Sequence, residues 1–171
     1  LVDVVAKRPD VLLDAAGAFR GKLSGKFLHE AVAALERPCV GDWVWVEKAP
    51  GDSFAIVHAV LERKTGLRRK AAGESVELQM IAANVDVVII VQSCHYDFNL
   101  KRLERYLVMV RDGGATPCVL LTKTDLVAPE VLAGQLEEIR SAGIDAPVWT
   151  LSNVTREGVD ELSAVLAPGK T

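Results

Sequence analysis

The chain has 171 residues and no apolar run near the roughly 20 needed to span a bilayer. Leu1-Val2-Asp3 opens without the basic and apolar segments of a secretory signal. A soluble, cytoplasmic protein with no membrane partner is the expectation. Cysteine is scarce: Cys39, Cys94 and Cys118 are widely spaced and odd in number, which suits neither a disulfide framework nor a zinc site and predicts buried, reduced thiols. Aromatic residues make up only 5% of the chain, and two of them fall in Trp43-Val44-Trp45. Also missing is any G-x-x-x-x-G-K-[ST], the loop whose backbone amides cradle phosphates. Gly17–Leu23 and Gly21–Phe27 have the wrong gap and no hydroxyl after the lysine, and five residues before Gly169-Lys170-Thr171 stands Ala164 rather than glycine.

What is present describes a globular protein in two parts. Half the residues are hydrophobic and a quarter charged, enough for one core or two small ones. The net charge of −3 is unevenly spread: residues 1–75 carry 12 basic and 10 acidic side chains, residues 76–171 carry 8 and 13. Much of the early excess lies in Arg63, Lys64, Arg68, Arg69 and Lys70, which suit either phosphate neutralisation or a solvated edge that discourages aggregation.

Residues 1–72 alternate with period two in short stretches, 1–6, 11–14, 18–23, 42–47 and 54–61, between Gly, Pro and charged turns. Five such strands predict an all-β domain, a five-stranded, partly open OB-fold barrel that binds RNA or the ribosome. Within 42–47 the two tryptophans take one face and the two valines the other. Trp43 and Trp45 are therefore either packed against something or exposed for stacking. Residues 71–78 are small and polar and predict a linker.

From residue 73 the pattern becomes α/β. The near-continuous apolar run 85–91 predicts a strand buried on both faces. Asn99 is a candidate N-cap for a helix with Leu100, Leu103, Leu107 and Val110 along one side. A second strand at 118–121 precedes Thr122-Lys123-Thr124-Asp125, and Pro129 starts a helix bearing Leu132, Leu136 and Ile139. A third strand at 148–151 and a helix over 157–166 complete three strand–helix units. Such units predict a parallel sheet with ligands at its carboxyl edge.

Thr122-Lys123-Thr124-Asp125 at a strand's carboxyl end has the chemistry of guanine recognition. Guanine presents its N1–H and its exocyclic amine side by side, and the Asp125 carboxylate accepts from both. Adenine offers a lone pair there, leaving the anion unpaired, and hydrogen bonds to charged groups are worth about 1.5–3 kcal/mol each. The stem of Lys123 lies over the base while its ammonium stays wet. Thr122 stands where asparagine is usual, which predicts weaker bracing of neighbouring loops with base choice intact. One strand later, Ser152-Asn153 sits where a backbone N–H meets the guanine O6, although an ordinary strand-to-helix turn also accounts for those two residues.

Several segments together resemble the circularly permuted ribosome small-subunit-dependent GTPase A family (RsgA, YjeQ). They are Val40-Gly41-Asp42-Trp43-Val44, Arg63 to Arg69, Ile81-Ala82-Ala83-Asn84-Val85-Asp86, Asp97-Phe98-Asn99-Leu100, Leu103-Glu104-Arg105-Tyr106-Leu107 and Leu121 to Leu126. The resemblance implies an OB-fold domain over 1–72 and, over 73–171, the first part of a GTPase domain whose base-recognition motifs precede its phosphate loop. It implies GTP/GDP bound through Thr122, Lys123, Thr124, Asp125, Ser152 and Asn153, and rRNA of the small ribosomal subunit contacted through Trp43, Arg63, Lys64, Arg68, Arg69 and Lys70. It further implies a monomer that hydrolyses GTP late in small-subunit maturation, with Mg²⁺ and a structural Zn²⁺ expected only in an intact protein longer than this chain. No catalytic residue and no metal ligand are expected within residues 1–171, which alone are expected to be inactive. The alternative is an rRNA-binding module joined to a guanine-binding domain that does not hydrolyse.

Overall fold

The computed structural model describes residues 2–4, 11–15, 17–30, 34–70, 78–165 and 171. They form two compact units, Leu1–Val85 and Asp86–Thr171.

In the first unit, β1 (Val2–Val4), β2 (Val11–Asp14), β3 (Gly17–Leu23), β4 (Trp43–Glu47) and β5 (Phe54–Val60) close into a barrel in the order β1-β2-β3-β5-β4. All its pairings are antiparallel except β3 with β5. Alternation sets the two surfaces. Leu12, Val44 and Val57 are buried inside, with Phe19, Leu23, Val46 and Val60 packed around them. Burying each such side chain contributes about 1.5–3 kcal/mol. Trp43 and Trp45 stay 46% and 65% exposed, opposite in direction to the valines of the same strand. Between β3 and β4 runs a short helix, α1 (Gly25–Glu30), whose Phe27 N–H donates to the Ser24 hydroxyl at 3.1 Å.

The unit continues past the expected boundary at 72/73. β6 (Gly66–Lys70) pairs antiparallel with β7 (Leu78–Ala83), and the end of β7 is fastened to the turn before β4. Ala83 N–H donates to Val40 O at 2.8 Å, and the Asn84 amide donates to Gly41 O at 2.9 Å. Gly41 has φ +84°, and a Cβ there would lie 2.0 Å from the Ala83 carbonyl oxygen, so only glycine permits this approach. Asn84 also accepts from Lys64 N–H at 2.9 Å, and the Thr65 hydroxyl donates to Val85 O at 2.8 Å. These bonds move the division to Val85/Asp86. Of the expected linker 71–78, Leu78 begins β7 and the remainder lies outside the described residues.

The second unit has a three-stranded parallel sheet in the order β10-β9-β8, from β8 (Val87–Ser93), β9 (Thr116–Thr122) and β10 (Val148–Leu151). α2 (Leu100–Asp112) buries Leu103, Leu107 and Val110, and Asn99 caps it by accepting from Arg102 N–H at 2.9 Å. α3 (Pro129–Ser141) begins at its proline and buries Ile139. The last helix, α4 (Val159–Val165), starts two residues later than the spacing predicts, and Leu166 lies outside the described residues. β8 departs from its expected burial on both faces: Val91 is 57% exposed, on the face opposite the buried Ile90 and Gln92. The Thr171 carbonyl accepts from the N–H groups of Asp86 and Val87 at 2.8 and 3.1 Å. No helix among the described residues is long and apolar enough to cross a membrane.

Candidate functional site

Parallel pairing of β9 with β10 in the register Leu151↔Thr122 brings their carboxyl ends side by side. The chain then turns sharply at Lys123, which adopts left-handed backbone angles (φ 61°, ψ 41°) and is exposed. For a residue with a Cβ this conformation costs roughly 1–2 kcal/mol, a local strain at the point where the side chain must face outward. Thr124–Leu126 form one 3-10 turn, which carries Asp125 toward the loop after β10.

There the fully buried Ser152 donates its hydroxyl to Asp125 Oδ1 at 2.5 Å. Ser152 Oγ itself accepts from the N–H groups of Val154 and Thr155, each at 3.1 Å. Ser152 thus fixes its own loop and one oxygen of the carboxylate together. An ionised carboxylate has about four lone-pair positions, and Ser152 takes one. Asp125 is exposed, so the others face solvent. Asn153 is exposed too, and its N–H has no acceptor among the described residues. Gly158 closes the loop with φ +75°; a Cβ there would lie 2.0 Å from the Thr150 carbonyl oxygen.

Thr122 uses its hydroxyl within the sheet, donating to Gln92 O at 3.3 Å, while its carbonyl accepts from Cys94 N–H at 2.9 Å. The Thr124 hydroxyl oxygen is buried without a partner among the described residues. The six residues read from the sequence as base contacts therefore converge on one edge, with Thr122 and Thr124 turned inward and Lys123, Asp125 and Asn153 outward.

A model of the family described as RsgA GTPase matches residues 60–171. The chain belongs to the RsgA GTPase family. Relatives named "Small ribosomal subunit biogenesis GTPase RsgA" include one from Opitutus terrae, 40% identical over 96% of this chain and 47% of its own length. Another, from Methanosarcina acetivorans, is 43% identical over 80% of this chain and 36% of its own. The chain spans under half the length of these RsgA relatives. In fold it is similar to YjeQ from Thermotoga maritima (TM-score 0.73, 24% identity, 99% of this chain and 57% of that one). It is also similar to YloQ, described as a circularly permuted GTPase (TM-score 0.65, 20% identity, 96% of this chain and 54% of that one).

The cations of this RsgA-family chain read as RNA contacts do not form one group. Arg68, Arg69 and Lys70 project from β6 and are exposed, as is Lys64 just before it. Trp43 lies on the barrel wall. Arg63 is held inward: its Nε and Nη2 donate to Oδ1 and Oδ2 of the fully buried Asp42, both at 2.7 Å. Its remaining bonds go to the carbonyls of Leu35 and Arg37. The hydrogen bonds to Asp42 are the main cause that raises its guanidinium pKa further above the ordinary value, against the opposing effect of burial. Asp42 Oδ2 also accepts from Cys39 N–H at 2.7 Å. Burial, then the Asp42 charge, then the hydrogen bond to Asp42 push the Cys39 thiol up to about 12, with Arg63 opposing. Arg63 and Asp42 thus brace the turn that precedes β4.

Sequence reasoning did not single out Gln92 and Gln135. Gln92 is 2% exposed, its amide donating to Asn99 O at 3.2 Å and accepting from Asn99 N–H at 3.1 Å. Gln135 donates to Cys94 O at 2.7 Å. For Gln92 the signal was an amide inside an apolar strand. Gln135, on an ordinary amphipathic helix, gave none. Among the described residues no group of three or more His, Cys, Asp or Glu side chains is placed to hold a metal ion.

Proposed function

We propose that this chain carries the guanine-recognising part of a ribosome-associated GTPase that acts in biogenesis of the small ribosomal subunit. The hydrogen bond from Ser152 to Asp125 carries the reading, since it joins the two loops a guanine would need. Asp125 accepts from the base N1–H and exocyclic amine, the Lys123 stem covers a face of the ring, and Asn153 N–H donates to O6. Adenine is refused because its N1 lone pair would face an anion.

Within residues 1–171 the proposed activity is binding without turnover, because no G-x-x-x-x-G-K-[ST] is present to hold the phosphates. The first unit we read as an OB-type barrel that contacts rRNA, in a cytoplasmic, monomeric protein. The parallel closure of β3 on β5, the exposed Trp43 and Trp45, and the exposed Lys64, Arg68, Arg69 and Lys70 support it. Stacking on such aromatics is worth about 1–3 kcal/mol per base. The names of the relatives point to the small subunit as partner.

Nuclear magnetic resonance titration of the labelled chain with GDP and ADP tests the nucleotide reading. Saturable shifts at Lys123, Asp125 and Asn153 with GDP alone are expected. Equal responses to both nucleotides would overturn it.

A further inference from the structure

We infer that Gln135, with Gln92, is a positioning residue for guanine recognition, holding the first half of the recognition turn as Ser152 holds the second. The inference rests on the guanine reading above. Thr122 must present Lys123 and Asp125 in one orientation, yet its side chain offers only a single hydroxyl, spent on Gln92 O at 3.3 Å. Its carbonyl is fixed by Cys94 N–H at 2.9 Å, so the position of Cys94 decides where the turn begins.

Cys94 is itself held from α3. Gln135 donates its amide to Cys94 O at 2.7 Å, so both backbone polar groups of Cys94 are engaged. The far end of the same loop is clamped at Asn99, where the buried Gln92 amide makes its two-point contact with backbone N–H and carbonyl. Asn99 in turn caps α2. The contacts form a ring: Thr122 leads through Asp125 into α3, α3 carries Gln135, Gln135 holds Cys94, and Cys94 returns to Thr122. Two glutamine amides thereby do the loop bracing that a side-chain amide at position 122 would otherwise do. Gln135 is held by its donor alone, its Oε1 being buried without a partner among the described residues, and the chain of contacts through Cys94 and Gln92 restricts the segment to one geometry.

The ring separates positioning from simple stability. Inosine diphosphate lacks the exocyclic amine, so the ratio of GDP to IDP affinity reads how well Asp125 is aimed. Gln135→Met keeps the length and helix preference of the side chain but removes the donor. In the 171-residue chain, GDP affinity should fall about fivefold and the GDP:IDP ratio should shrink about threefold, as for loss of a modest hydrogen bond. Gln135→Lys, which keeps a donor, should recover most of the ratio. Amide spectra of each variant report that it is folded. A lowered melting temperature with an unchanged GDP:IDP ratio would make Gln135 merely structural and overturn the inference. Wild-type chain that does not prefer GDP to ADP would instead overturn the guanine reading, and the inference with it.

Discussion

Ser152 and Asp125 lie 27 residues apart in the chain and are joined by a hydrogen bond of 2.5 Å between hydroxyl and carboxylate. One buried hydroxyl fixes the carboxylate and also accepts two backbone N–H groups of its own loop. Ser152→Ala therefore strands two donors and frees Asp125 at once. GDP affinity should fall about tenfold, with a stability loss of about 1–2 kcal/mol by urea denaturation. Unchanged affinity would detach Ser152 from recognition.

Lys123 offers a prediction with two signs. Its left-handed backbone is one that glycine adopts without penalty. Lys123→Gly should leave the thermal midpoint level or slightly higher while weakening GDP binding, because the stem proposed to cover the base is gone. A loss of stability together with full binding would reverse both assignments.

Arg63 and Arg69 belong to the same basic stretch and should behave as opposites. Arg63→Ala leaves Asp42 buried and unpaired, which costs about 3–5 kcal/mol. Arg69→Ala, at an exposed position on β6, should stay within about 0.5 kcal/mol and instead lower the salt dependence of RNA binding by about one unit of slope. Denaturation midpoints and binding isotherms at several salt concentrations separate the two.

Cys39 sets a limit at alkaline pH. Its thiol is raised from an ordinary 9.0 to about 12, chiefly by burial. An unfolded chain would lose this proton near pH 9 while the folded one keeps it. The unfolded state then binds fewer protons, and stability falls as pH rises from about 9 toward 12. Cys39→Ser should flatten that decline in denaturation series from pH 8 to 11, and alkylation of Cys39 in the folded chain at pH 8 should be slow.

Much of this architecture could be read from local pattern. The barrel strands obey period-two alternation with polar turns between them, so their centres were plain; the Trp43/Val44 division of faces follows from the pleat. Asn99 and Pro129 mark helix starts because capping is a matter of a few adjacent residues. What escaped depends on distant partners. The basic stretch suggested five equivalent cations, yet Arg63 finds Asp42 21 residues away, and no feature of the stretch itself distinguishes it. The hairpin of β6 and β7 joins the first unit through Asn84 and Gly41, 43 residues apart. In the candidate site, Thr122 to Asp125 and Ser152 stand out in the sequence as short local motifs at strand ends, while the hydrogen bond that joins them is supplied only by the fold. Gln92 and Gln135 do not stand out, since their importance lies in backbone carbonyls and amides whose positions only the fold supplies.

The guanine assignment is tested most directly by Asp125→Asn. An amide at this position loses the anion that accepts from guanine's exocyclic amine and gains an N–H for the carbonyl that xanthine carries at the same ring position. Titration of wild type and variant with GDP and xanthosine diphosphate should show the preference inverted, with GDP weakened at least about tenfold, the loss of one charged hydrogen bond. A variant that keeps its preference for GDP would show that Asp125 does not read the base.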